Sequence, residues 1–334
     1  MRKVEFTLNN PNALPICKTV MKYFESIYGK GIISGQHTNA AKGTQVEEIY
    51  EITGKYPAIR SFDLLSYTAG SNTEKLPNKE VRTEDMEIDC HEEVAGNRGS
   101  VEEAIRWWEE KGGLITLCWH WFAPCGGYDK TFYVFNTDFD IEKALCEGTA
   151  EHKAMMKDIS DIAQVLMRFK ERNIPILWRP LHEADGNWFW WSRKGAEAYK
   201  KLYHLLYQEL TEHYNLNNLI WVWNAPKIAY YVGDTYCDIG SCDVYGPAYD
   251  YSSDKREYEA VVCAMTGSKP VALSESFIMP HPESLIKDEV PWLYFTIWNW
   301  EEEEVILSNM TKEHMKEVYN HPYVITLEDL PNFK

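Results

Sequence analysis

No run of apolar residues in the 334-residue chain reaches the roughly 20 residues that a membrane-spanning helix requires. Basic residues are also scarce, with 34 Lys and Arg against 51 Asp and Glu, a formal net charge of −17. Such a surface repels phosphate backbones and anionic lipid, so neither nucleic acid nor a membrane is expected as a partner. A neutral substrate fits better. The eight cysteines form no CxxC and no paired zinc spacing, and a chain of this length does not depend on a disulfide scaffold. They read as free buried thiols or as one or two bridges, with Cys237–Cys242 the local candidate.

Familiar catalytic signatures are missing too. There is no GxSxG elbow, Ser274 and Ser276 lacking the flanking glycines, and no Walker or dinucleotide glycine turn. His182-Glu183 has no second histidine four residues on, so HExxH zinc chemistry is excluded. Cys118, His120 and Cys125 can be drawn as ligands but follow no recognised pattern, and no metal or cofactor is expected. The N-terminal MRKVEFTLNNPNALP has no apolar signal core. A trimmed signal would leave the same sequence, so the compartment stays open between extracellular and cytoplasmic.

Aromatic residues, in contrast, are plentiful at 14%, including 13 Trp and 21 Tyr. Surplus tryptophan supplies flat platforms for sugar rings or bases, and the acidic balance favours sugars. Eight short β-type runs recur, at 32–37, 56–63, 113–121, 174–183, 219–225, 242–246, 270–276 and 294–300. Several are continuously apolar, as parallel strands buried on both faces are. Helical patterns alternate with them at 100–112, 152–173, 195–213, 254–266 and 310–319. The first carries a Ser100/Glu103 capping box and a Gly112 stop; the second keeps Ile159, Ile162, Val165, Leu166 and Phe169 on one stripe. Eight strand–helix repeats predict an α/β fold, a single (β/α)8 TIM barrel over residues 1–334, with an open doubly wound sheet as the alternative. Long connections at 64–99 and 122–150 follow the second and third strands, on the side where barrels build active sites. The Glu301–Glu304 run reads as a solvated loop or helix start.

The strand ends would converge on one rim bearing Gln36, His37, Asp63, Trp119, His120, His182, Glu183, Asn224, Asp243, Tyr245, Glu275, Trp298 and Asn299. Taken singly, each has a plainer reading: a surface charge, a packed indole, a hydrogen-bonded structural histidine. Glu183 and Glu275 gain weight together, because both follow apolar strands in aromatic, cation-bearing surroundings. Cleaving a glycosidic bond needs two carboxyl groups, one protonated to release the leaving oxygen and one ionised to attack or to activate water.

The segment WRPLHEADGNWFWW (178–191) resembles the acid/base segment of glycoside hydrolase family 26, the β-mannanase family. SGQH, WHW, VALSES and FTIWNW are similar to the same family in the same order along essentially the whole chain. The resemblance implies a retaining endo-β-1,4-mannanase, with same-family β-1,3-1,4-glucanase or β-1,3-xylanase as rivals and an inactive carbohydrate-binding barrel as the reading from another class. It implies Glu183 as acid/base and Glu275 as nucleophile, with Arg179 and Tyr245 beside the nucleophile. His120, His182 and Trp188 would line the cleaved subsite, and Trp298 would be its stacking floor. The expected partner is β-mannan or manno-oligosaccharide, bound by a monomer. Charge and hydrogen bonding from Arg179 and Tyr245 should hold Glu275 ionised, while tryptophans desolvate Glu183. Trp188 is expected to face the sugar, and Trp190 and Trp191 to pack.

Overall fold

The computed structural model describes residues 3–40, 43–68, 93–125, 131–265, 267–299 and 306–334. The barrel strands are β2 (Gly35–His37), β3 (Ile59–Asp63), β4 (Leu114–Trp119), β5 (Ile176–Pro180), β6 (Leu219–Asn224), β7 (Ile239–Val244), β8 (Val271–Ser276) and β9 (Phe295–Ile297). They pair in chain order, and β9 closes on β2 through Ile297 and Gln36. Every pairing is parallel. The fold is therefore a (β/α)8 barrel, and all strand C-termini open on one face.

The run 32–37 is not one strand. Its first half, β1 (Ile32–Ile33), pairs outside the barrel with β10 (Val324–Ile325), a strand the sequence pattern did not signal. The break falls at Ser34, whose hydroxyl donates to the Ile325 carbonyl at 2.9 Å and accepts from the Ala58 amide at 3.2 Å. Gly35 then starts the barrel strand because a Cβ there would stand 2.6 Å from the Phe295 carbonyl oxygen. Other limits moved as well. β5 stops at Pro180 rather than running to Glu183, and β7 begins at Ile239 and stops before Tyr245.

The helices are α1 (Pro15–Ile27), α2 (Gln45–Thr53), α3 (Ser100–Arg106), α4 (Ile141–Ala144), α5 (Ala150–Lys170), α6 (Gly195–Tyr207), α7 (Lys255–Ala264), α8 (Pro282–Asp288) and α9 (Lys312–Asn320). α3 and α6 continue as π-type turns, Trp107–Lys111 and Gln208–His213. Ser100 does not cap α3: the cap is left-handed Gly99, and the Ser100 hydroxyl donates backwards to the Asn97 carbonyl at 2.7 Å. Gly112 ends the element as expected, in the left-handed region. α5 is capped by Thr149, which accepts from the His152 amide at 3.0 Å. Its Ile159, Ile162, Leu166 and Phe169 are fully buried against the barrel. Each such side chain contributes roughly 1.5–3 kcal/mol by leaving water.

Cys237 and Cys242 do not bridge. The described cysteines are all free thiols; Cys17, Cys118, Cys237 and Cys242 are buried, whereas Cys125, Cys146 and Cys263 are exposed. Cys90 and the Glu301–Glu304 run lie outside the described residues, as does most of 64–99. No described helix is long and apolar enough to cross a membrane.

Candidate active site

Glu275 is the penultimate residue of β8 and is buried at 4% exposure. Arg179, on β5 and 2% exposed, reaches across the barrel mouth to it, Nη2 bonding Glu275 Oε1. The same guanidinium donates Nη1 to Asp243 Oδ2 at 2.9 Å. The Tyr245 hydroxyl donates to Glu275 Oε2 at 2.7 Å, so both carboxylate oxygens are held. Tyr245 stands just past β7, where a register shift between Cys242 and Asp243 sets Asp243 opposite Glu275.

Glu183 sits differently, three residues beyond β5 in a tight turn. Both Leu181 (φ 52°) and Glu183 (φ 53°) adopt the left-handed region. The turn is held by Asn224 at the end of β6, whose carbonyl and side-chain oxygens accept the Glu183 amide at 2.8 and 3.0 Å. Asn224 Nδ2 in turn donates to Asp243 Oδ1 at 2.8 Å. The Trp188 indole donates to Glu183 Oε2 at 2.7 Å, and this ring is 44% exposed. It folds back over Gly186, where any Cβ would lie 2.0 Å from the indole. One carboxylate oxygen from each of Glu183, Asp243 and Glu275 lies within 4.8 Å of the others.

The WFWW run divides its labour. Phe189 packs against the rings of His120 and His182, at centroid distances of 5.4 and 5.3 Å. Trp190 and Trp191 are fully buried; their indoles donate to the Trp121 carbonyl at 2.6 Å and the His182 carbonyl at 2.9 Å, pinning the rim. Trp298 follows β9, half-buried, and stacks on His37 with centroids 4.1 Å apart. His120, just past β4, bonds through Nδ1 to Asp63 Oδ2, and its Nε2 lies 3.1 Å from His182 Nε2. Asp63 also accepts the His120 amide at 3.1 Å and the Leu65 amide at 2.8 Å.

The arrangement of eight strand ends around paired carboxyls agrees with what the whole sequence matches. Residues 9–329 fit the model of glycosyl hydrolase family 26. The chain belongs to that family. It is 36% identical to the mannan endo-1,4-β-mannosidase of Thermothelomyces thermophilus, over 99% of this chain and 65% of that protein. Mannan endo-1,4-β-mannosidase A of Piromyces sp is 33% identical over 99% of this chain and 52% of its own length. This chain thus spans between about half and two thirds of the length of these two relatives. Among solved structures, the GH26-CBM35 β-(1,4)-mannanase of Podospora anserina superposes with a TM-score of 0.86 at 34% identity, over 99% of this chain and 70% of that one. The β-mannanase of a symbiotic protist of the termite Reticulitermes speratus, solved with a gluco-manno-oligosaccharide, has a TM-score of 0.86 at 28% identity and 99% coverage of both chains.

In this family 26 barrel the electrostatics follow from two buried carboxyls, those of Asp243 and Glu275, sharing one guanidinium, with the half-buried Glu183 beside them. Burial raises Glu275 to about 7, against the opposing pull of Arg179, so the expectation that it is held low is corrected. Burial likewise lifts Asp243 to about 8, again against Arg179. Glu183 is raised by burial and by the charge of Glu275, while Arg179 and the Trp188 bond oppose the rise. Burial thus opposes ionisation of all three carboxyls together, and Glu183 and Asp243 compete for a proton. Both Asp243 oxygens already accept bonds from Arg179 and Asn224, which favours Glu183 as the proton's seat. The histidines separate in the same way. Burial would depress His120, yet the Asp63 carboxylate raises it to about 9, whereas burial leaves His37 near 3.

Asp63, Asn224 and Asp243 stand on the rim anticipated from the strand ends, but the sequence assigned them no part. The signal that could have found them is a polar side chain at the last position of an otherwise buried strand. For Asp243 it is also the two-residue spacing to Tyr245.

Proposed function

We propose that the protein is a retaining endo-β-1,4-mannanase, one catalytic barrel that cleaves mannan, glucomannan or galactomannan by double displacement. The observation that carries this reading is the proximity of Glu183 and Glu275, with oxygens within 4.8 Å. Inverting enzymes need roughly 6.5–9.5 Å between their carboxyls to seat a water, whereas retaining ones use about 5–5.5 Å. The unequal surroundings support the roles. Glu275, held by Arg179 and Tyr245, attacks the anomeric carbon while Glu183 gives its proton to the departing glycosidic oxygen. The C–O bond breaks and a glycosyl–Glu275 ester forms. Glu183, now ionised, takes a proton from water, which attacks the ester and frees Glu275.

Mannan as substrate is supported by the names of the relatives, and the half-exposed Trp188 beside Glu183 supplies an apolar face for a pyranose ring. The test is reducing-sugar release from soluble mannan, with the product anomer followed by NMR. Wild type should release β-configured ends, and Glu275→Ala and Glu183→Ala should not. Unimpaired hydrolysis by both variants, or an initial α-anomer, sinks the assignment. Activity on β-1,3-1,4-glucan or β-1,3-xylan but not mannan would move the substrate within the family, and binding without turnover would make the barrel a carbohydrate-binding protein.

A further inference from the structure

Two histidines and a glutamate outside the carboxyl cluster converge where α8 begins. His281 precedes α8 on the segment that follows β8, and His314 and Glu317 lie one turn apart on α9. One ligating atom from each lies within 4.8 Å of the other two. His281 Nε2 stands 3.7 Å from Glu317 Oε2, and the two imidazole centroids are 5.7 Å apart.

His314 carries the argument. Its Nε2 lies 2.7 Å from the Met279 carbonyl oxygen, which can only accept, so the ring proton sits there and Nδ1 keeps its lone pair. The ring is 3% exposed and stacked on Tyr251 at 3.5 Å, so its orientation is fixed. A metal-bound histidine is held in this way, donating its remote N–H to a carbonyl or carboxylate while the other nitrogen faces the ion. The Glu317 side chain is 67% exposed, which gives an ion access from solvent.

We propose that His281, His314 and Glu317 bind one divalent transition-metal ion, Zn²⁺ by ligand type, through His281 Nε2, His314 Nδ1 and a Glu317 oxygen. Two imidazoles and a carboxylate with water in the fourth position form a tetrahedral zinc set. In the free protein, His281 Nδ1 accepts the Glu283 amide at 3.2 Å, so its proton sits on Nε2 and faces Glu317. The ion takes the place of that proton, which moves to Nδ1 as the long cap bond is given up. The ion would tie the segment after β8, the strand of Glu275, to α9. Nothing in this site depends on the reaction proposed above.

The experiment is calorimetric titration of untagged, chelator-stripped protein with zinc chloride, paired with thermal unfolding. One saturable site per chain is expected, with a Tm rise of about 4 °C at a hundredfold excess over Kd. His281→Asn keeps an acceptor able to cap α8, and Glu317→Gln keeps the shape of an exposed side chain. Each should weaken zinc binding by about tenfold or more with the metal-free Tm unchanged. His321→Asn, outside the cluster, should bind zinc as wild type does. The proposal is overturned if wild type shows no saturable binding, or if either ligand variant binds zinc undiminished.

Discussion

The two carboxyl corners of the rim are built on opposite principles. Glu275 belongs to a strand, is almost wholly buried, and has each oxygen fixed by a separate donor. Glu183 belongs to a turn in which two non-glycine residues hold positive φ, and Trp188 donates to one of its oxygens. Such backbone geometry costs on the order of 1–3 kcal/mol per residue and persists only where neighbours over-determine it, here Asn224. The strand-held group is suited to one fixed line of attack. The turn-held group, with a half-exposed partner, is suited to giving up a proton and taking one back.

The comparison breaks most sharply at Glu275. Glu275→Ala should lower kcat on the order of 10⁴-fold or more, for mannan and for aryl glycosides alike, because no bond to the anomeric carbon can form. Glu183→Ala should lose comparable activity on mannan yet form the glycosyl intermediate readily from a dinitrophenyl glycoside, whose leaving group needs no proton. Burst kinetics on that substrate separate the corners, and an equal loss in both variants would erase the distinction drawn between them.

Arg179 is the element that the corners share through Asp243. Arg179→Met leaves Asp243 and Glu275 buried without their cation, a change expected to destabilise the fold by about 3–5 kcal/mol. It should also raise Glu275 further, moving the acidic limb of the kcat/KM profile to higher pH. Denaturant midpoints at pH 7, with the pH–rate profile of the variant, check both. A variant as stable as wild type would mean that the carboxyls are solvated in a way their burial denies.

Asp63 tests the histidine side of the rim. It is held near 2, its burial outweighed by His120, and His120 is held up to about 9. The His120 share of stability is complete below its ordinary value of 6.5 and fades as pH climbs through about 9. The Asp63 share is complete above 3.8 and fades as pH falls toward 2. Asp63→Asn removes both. The stability gap between wild type and variant should therefore be widest between those ordinary values and narrow by about 3 kcal/mol on the way to pH 9. A gap independent of pH would show that the pair is neutral.

The barrel was legible because parallel strands buried on both faces read as continuous apolar runs, and the residues ending those runs reach the same rim. What did not show in the sequence depends on contacts between distant segments. The Glu183 turn is set by Asn224 from the next strand, and neither Leu181 nor Glu183 is a residue type that announces positive φ. The register shift that aims Asp243 at Arg179 carries no local signature. β1 separates from β2 only because β10, nearly 300 residues later, supplies a partner. α1, by contrast, carries purely local signals: Pro15 at its first position, and Ile16, Val20, Met21 and Phe24 at helical spacing.

The smallest change sharpens the comparison most. Trp188→Phe keeps an aromatic face but deletes the indole N–H that donates to Glu183 Oε2. That bond favours the ionised carboxylate, so removing it raises Glu183, already raised by burial, still further. A general acid works only while protonated, and the limb that reports its loss lies on the basic side of the profile. The basic limb should therefore move to higher pH, because the lost hydrogen bond favoured the charged form. The acidic limb, set by Glu275, should stay in place, because Trp188 makes no bond to that corner. A loss of sugar stacking alone would raise KM and shift neither limb. Movement of both limbs together would mean that the two carboxyls titrate as one unit and that their different scaffolds do not separate their roles.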